Sequence, residues 1–217
     1  MIAPNTQINH VIWDWNGTLV DDSEFCASVV SAVLQEWELP AIGRADYRRR
    51  FRFPVREFYE ELGFVGRDVD YLQVCESFIE KYRAGWRGCQ LQAGAREVLA
   101  ALHGSGVRQT MLSAGHQEDL EASLRHFGID VFFTDILGQD NTRAEGKVVR
   151  GQEWFAREGL LAEQAVLVGD TNHDWEVAEA LGVGCLLFTN GHQDNERLAG
   201  FQPRKIDDLR EVLGLFG

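Results

Sequence analysis

The 217-residue chain carries a formal net charge of −13, and 45% of its residues are hydrophobic. That suits one large domain or two small ones with a well-filled core, and the acidic field opposes attraction to polyanions, so neither nucleic acid nor an anionic membrane is an expected partner. The four cysteines, Cys26, Cys75, Cys89 and Cys185, form no C-x-x-C pair and no metal-ligand spacing. With no apolar run long enough to span a bilayer and no basic, apolar leader at the N-terminus, the expectation is a cytoplasmic protein, monomeric or homodimeric.

In chain order, His10 to Asp14 reads as a short buried strand ending at a carboxylate, followed by the turn pair Asn16-Gly17. Asp21, Asp22 and Ser23 supply N-capping side chains for a helix reaching about Glu38, with Pro40 beyond its end. Three helical segments follow, around Asp46 to Arg52, Pro54 to Leu62 and Asp68 to Tyr82, with no convincing strand among them. After Gly88 helices and apolar strands alternate, the pattern of a parallel sheet covered on both faces. The predicted helices are Gly94–His103, His116–Phe127, Lys147–Glu158 and one ending at Leu181, each followed by glycine. The predicted strands are Val107–Leu112, Val131–Leu137, Ala165–Val168 and Gly184–Phe188. The fold class is therefore α/β: a Rossmann-like core of residues 1–20 and 88–217, with residues 21–87 inserted as a helical cap.

Ligands of open parallel sheets bind beyond the carboxyl ends of the strands. There the sequence places Asp14, Asn16 and Thr18, then Ser113, then Asp170 and Asp174, while Lys147 opens a helix. A nucleophilic carboxylate, a hydroxyl, an ammonium and a further carboxylate pair can together hold magnesium and a phosphate. The same groups also have plain structural uses: strand-end carboxylates cap turns, and Asp170 or Asp174 can cap the next helix. His116, His173 and His192 have no ligand partner at useful spacing and read as surface or capping residues. Trp13 and Trp15 alternate away from Asp14 and read as packing residues.

The order Asp-x-x-Gly-Thr, Ser, Lys and Gly-Asp-x-x-x-Asp resembles the four motifs of the haloacid dehalogenase superfamily, and within it the phosphoglycolate phosphatase-like enzymes. The resemblance implies a Mg2+-dependent phosphatase acting on a small phosphorylated metabolite. Asp14 would be the nucleophile that forms an aspartyl-phosphate. Asp14, Asp170, Asp174 and the backbone carbonyl of Asn16 would ligate the metal. Ser113 and Lys147 would bind the phosphoryl oxygens, with Gly17, Thr18 and Ala114 beside them. Dehalogenation is disfavoured because the metal carboxylates are retained, and mutase chemistry because an aspartate is missing.

The missing aspartate is at position 16. The family's phosphatases usually carry there an acid that protonates the leaving oxygen, and an amide cannot exchange that proton at neutral pH. The sequence alone thus leaves open a substrate with a good leaving group, a substitute acid such as His116 or a cap residue, a degenerate or phosphate-binding protein without turnover, or an engineered or deamidated position. It also leads to the expectation that Asn16→Asp would speed alkyl phosphate turnover by about 10²–10⁴-fold. In the insertion, Arg44, Arg48, Arg49, Arg50, Arg52 and Arg56 read either as a solvated face paired with local carboxylates, or as leaving-group readers, with Arg52 the candidate substrate contact.

Overall fold

The computed structural model describes residues 8–66, 70–140 and 147–216. The sequence-predicted helix start at Asp68 and the Glu145-Gly146 step before Lys147 lie outside the described residues. Strand β1 (His10–Trp13) leads through the Asn16-Gly17 turn to β2 (Val20–Asp21). Four helices follow: α1 (Ser23–Glu36), α2 (Arg44–Arg50), α3 (Val55–Tyr59), which runs on into a wider turn Glu60–Phe64, and α4 (Tyr71–Gly85). The chain then returns along β3 (Gln90–Leu91), antiparallel to β2, so a two-stranded neck brackets the insertion. Sequence reading missed this neck because two-residue strands leave no periodicity to detect.

Beyond the neck come α5 (Ala95–Gly104), β4 (Arg108–His116), α6 (Gln117–Phe127), β5 (Asp135–Gln139), α7 (Val148–Glu158) and β6 (Ala165–Gly169). Then come α8 (Asn172–Leu181), β7 (Gly184–Phe188), the single turn α9 (Asn195–Leu198), the edge strand β8 (Arg204–Ile206) and a 3-10 segment, Leu209–Leu215. The large sheet has six strands in the order β5-β4-β1-β6-β7-β8, and every pairing in it is parallel. β1 lies centrally between β4 and β6, so it is buried throughout and delivers Asp14 to the middle of the carboxyl edge. The expected strand at Val131–Leu137 begins later, because Asp130–Phe132 forms a short helical turn first.

Apolar residues collect in three places: one cluster on each face of the sheet, and a separate one inside the insertion around Val33, Leu34, Phe58 and Val74. Trp13 and Trp15 pack into the first of these, on the side expected from strand alternation. The insertion therefore has a core of its own. It is fastened to the sheet domain by polar contacts: the Arg48 guanidinium donates to the carbonyls of Thr189 (2.7 Å) and Gln193 (3.0 Å), and the Gln193 amide donates to the Phe51 carbonyl (2.9 Å). Among the described residues no helix is long and apolar enough to cross a membrane.

Candidate active site

Asp14, Asp170 and Asp174 converge beyond the ends of β1 and β6, each offering one oxygen within 4.8 Å of the others, and all three are buried. The Lys147 ammonium contacts Asp14 Oδ1, lies 2.7 Å from Asp174 Oδ1 and donates to the Leu112 carbonyl at 3.1 Å. Burial opposes its charge, but the two carboxylates more than offset that and hold the lysine charged, above its usual range. The Thr18 hydroxyl lies 3.1 Å from both Asp14 Oδ2 and Asp170 Oδ1, and donates to one of them at a time.

The two metal-side carboxylates are held differently. Asp174 Oδ2 accepts from the amides of Asp170 (3.1 Å) and Thr171 (2.9 Å) and from the Thr171 hydroxyl (2.8 Å), closing a capping box at the start of α8. The capping use weighed from sequence is thus real for Asp174 and occupies one of its oxygens, leaving the other for Lys147. Asp170 does no capping. Its Oδ2 accepts from the His192 amide, and burial drives its pKa well up despite the nearby imidazole. Gly17, at φ +77°, and Gly191 both press on the Asp170 carboxyl so closely that a Cβ at either position would collide with it. Three buried carboxylates share one ammonium, so the cluster is short of positive charge. Hard oxygen ligands in that state fit a divalent cation, held by Asp14, Asp170 and Asp174.

Ser113 is buried, and its Oγ accepts from the Gly115 amide at 3.0 Å; it lines the cavity with Ala114. The Gly17 amide turns away from the phosphoryl end and donates to Asp22 Oδ1 at 2.9 Å. Arg52 is not among the cavity-lining residues and pairs with Glu61, which also takes Arg50. Arg49 pairs with Asp46, and Arg56 lies over the Tyr71 ring. Most of the arginine run is therefore spent on local partners, as arginine-rich helix faces usually are, while Arg48 ties the insertion to the sheet domain.

Two residues that sequence reading assigned elsewhere are part of the site. Asp22 makes no capping hydrogen bond to α1. Instead its fully buried carboxylate accepts from the Asn16 amide (2.6 Å), the Tyr82 hydroxyl (2.9 Å) and Gly17 N, and faces His192 Nε2 at 3.2 Å. Burial opposes ionisation of Asp22, yet the imidazole and these donors win and keep its pKa below the usual carboxylate value. His192 is buried too, with Nδ1 2.9 Å from the Tyr47 hydroxyl; burial would lower its pKa, but Asp22, then Asp170 and Asp14, push it up to about 9. Asp-Asp-Ser before a helix looks like capping, and a lone histidine after β7 carries no local signal. Only the fold brings them together.

This arrangement has known relatives. Residues 11–188 match the family described as haloacid dehalogenase-like hydrolase. A phosphoglycolate phosphatase from Pseudomonas savastanoi pv. phaseolicola is 29% identical, over 94% of this chain and 78% of its own. The tyrosine-protein kinase PtkA of Mycobacterium tuberculosis is 27% identical, over 98% of this chain and 75% of its own. The structure of a putative phosphoglycolate phosphatase from Lactobacillus plantarum superposes with a TM-score of 0.84 at 17% identity, covering 97% of this chain and all of that one. The chain belongs to the haloacid dehalogenase-like hydrolase family and is a phosphatase-type enzyme within it.

Proposed function

We propose that the protein hydrolyses a small phosphomonoester with Mg2+ as its metal and Asp14 as the residue that carries the phosphoryl group, residues 21–87 acting as a cap over the core. The observation that supports this most directly is the Asp14–Lys147 contact inside a carboxylate cluster that one lysine does not neutralise. When bound, the metal would supply the charge that lets an anionic phosphate approach an anionic nucleophile. Asp14 attacks phosphorus, the bond to the leaving oxygen breaks, and that oxygen departs with the electron pair. Water then attacks the same phosphorus, the Asp14 carboxylate is released, and the water's proton leaves on inorganic phosphate. Lys147 shields Asp14 from the incoming anion and offers its ammonium to a phosphoryl oxygen. Thr18 orients the Asp14 carboxylate, and Ser113 sits where its hydroxyl can turn to the phosphate.

The test is phosphate release from a panel of phosphomonoesters with Mg2+ or with a chelator, together with intact-mass detection of phosphorylated protein. Turnover that needs the metal, and a covalent phosphate lost in Asp14→Asn, are the expected results. Turnover that survives both changes would overturn the mechanism. Tight phosphate binding with no turnover of any ester would favour a binding protein.

A further inference from the structure

A cavity of about 180 Å³ runs from Asp14 up between α2, α3 and α4. Its cap-side wall is built from aromatic rings, among them Tyr47, Phe51, Phe53, Phe58, Tyr59 and Phe78. Among the described residues no lysine or arginine of the cap lines it; Lys147, at the phosphoryl end, does. The acidic side chain on the core rim, Asp119, is already taken by Arg83, whose Nη2 donates to it at 2.7 Å. A carboxylate-bearing leaving group placed here would lose its hydration and find no lysine or arginine of the cap to pair with, while the His192 imidazole that also lines the cavity is already committed to Asp22, so its burial is costly. A ring placed here would be in contact with rings. The size agrees: an apolar protein cavity of roughly 150 Å³ is enough to take up benzene.

Two further features narrow the ligand. Tyr59 lines the cavity, and its buried hydroxyl has no hydrogen-bond partner. A buried hydroxyl left unpaired is costly, so it marks where a polar substituent of a ligand belongs. At the other end, the Asn16 amide donates to Asp22 and to the Tyr82 oxygen, and can hand no proton to a departing oxygen. A phenol, with a pKa of about 10, leaves without that help. An alkyl alcohol, nearer to water at about 15.7, does not.

Resting on the phosphatase reading above, we infer that the substrate is a phosphomonoester of a small aromatic alcohol. Its single ring lies in the aromatic vault of the cap, with a polar substituent at Tyr59. As the Asp14–phosphorus bond forms, the phosphorus–oxygen bond to the ring breaks. The aryloxide leaves with the electron pair and takes its proton from solvent, so no buried acid is needed.

The test separates this substrate class from the phosphatase reading by measuring binding as well as turnover, on the full chain with Mg2+. Phenylphosphonate and phosphonoacetate are unreactive mimics of an aryl and of a carboxylated leaving group. Calorimetry should give phenylphosphonate at least about tenfold the affinity of phosphonoacetate. Ile79→Arg, which puts a cation into the cavity wall from α4, should shrink or reverse that ratio, with circular dichroism confirming the fold. In turnover, phenyl phosphate should exceed phosphoglycolate in kcat/KM. Equal or reversed binding in the unmodified protein overturns the aromatic assignment and leaves the phosphatase reading intact. A binding preference without turnover of any ester supports the aromatic site and overturns the phosphatase reading.

Discussion

Two buried acidic clusters lie side by side in this molecule and are built on opposite principles. Around Asp14, three carboxylates share one lysine and a threonine hydroxyl, and the charge does not balance. Around Asp22, one carboxylate faces an imidazole and accepts from an amide side chain, a tyrosine hydroxyl and a backbone N–H. Buried charge is tolerated when it is paired and hydrogen-bonded, and costly otherwise. The first cluster is therefore short of positive charge, which a divalent cation would supply. The second is complete in itself and joins the β1 turn, the cap helix α4 and the loop after β7.

The widest separation between the clusters is expected on Asp14→Asn. Loss of the nucleophile should lower turnover by about 10⁴-fold or more. It should leave metal-free stability unchanged or raised, because one uncompensated carboxylate has gone. Steady-state kinetics and urea denaturation in chelator check the two halves, and a large loss of stability would show that the first cluster also holds the fold together. Metal addition sharpens the same contrast. Magnesium at a hundredfold excess over its dissociation constant should stabilise the native chain by about 2.7 kcal/mol. Asp170→Asn should lose that gain, whereas disturbing the Asp22 cluster should not.

Asn16→Asp probes the boundary between the clusters, and here the structure changes what the sequence led one to expect. Position 16 is not an empty place for an acid. Its side chain lies 2.6 Å from Asp22 Oδ2, so an aspartate there would press one buried carboxylate against another. Such a pair holds one proton, and raising a carboxyl pKa by two to three units costs about 3–4 kcal/mol at neutral pH. The sign follows: the folded pKa is raised above the unfolded value near 4, so the penalty is full at pH 7 and fades as pH falls toward that value. Urea denaturation at pH 7 and pH 4.5 should show it. Asn16→Asp combined with Asp22→Asn should restore stability, and any gain on alkyl phosphates should appear in the double variant. Full stability of the single variant at pH 7 would mean that the two side chains are not coupled.

Much of this was legible in the sequence, for identifiable reasons. Most of the parallel core could be read because its central strands carry apolar runs and α6, α7 and α8 each stop at a glycine, Gly128, Gly159 and Gly182, whereas the edge strand β8, Arg-Lys-Ile, carries no apolar run and was missed. That Asp14, Lys147, Asp170 and Asp174 lie together could be expected because their placement relative to strand ends is a local property. The same could not be expected of Asp22, Tyr82 and His192, since they meet only in the fold, Asp22 lying 60 residues from Tyr82 and 170 from His192 along the chain. Nor could the sequence say which arginines face the cavity. Each local carboxylate that pairs with one, such as Glu61 with Arg50 and Arg52, removes a candidate that charge counting alone retains.

The smallest expected effect belongs to Tyr82→Phe, and it tests whether the Asp22 cluster is as redundant as it looks. The exchange removes the hydroxyl that donates to Asp22 Oδ2 at 2.9 Å and accepts from Asn16 at 2.8 Å. It keeps the ring that stacks on Phe78 and packs on Phe25. Asp22 would still hold Asn16, the Gly17 amide, the Cys26 thiol and His192, and Asn16 would still hold Asp22. One neutral hydrogen-bonding group lost from a carboxylate with four partners left should cost about 1 kcal/mol, well below the penalty of Asn16→Asp. The hydroxyl is nevertheless a polar tie between α4 and the β1 turn, so cap opening should change more than global stability. Hydrogen exchange can read this, with α4 amides expected to lose protection while those of β1 and β6 keep theirs. A cost as large as that of Asn16→Asp, or uniform loss of protection through the sheet, would mean that Asp22 depends on every one of its donors. The cluster would then be as short of partners as the one around Asp14.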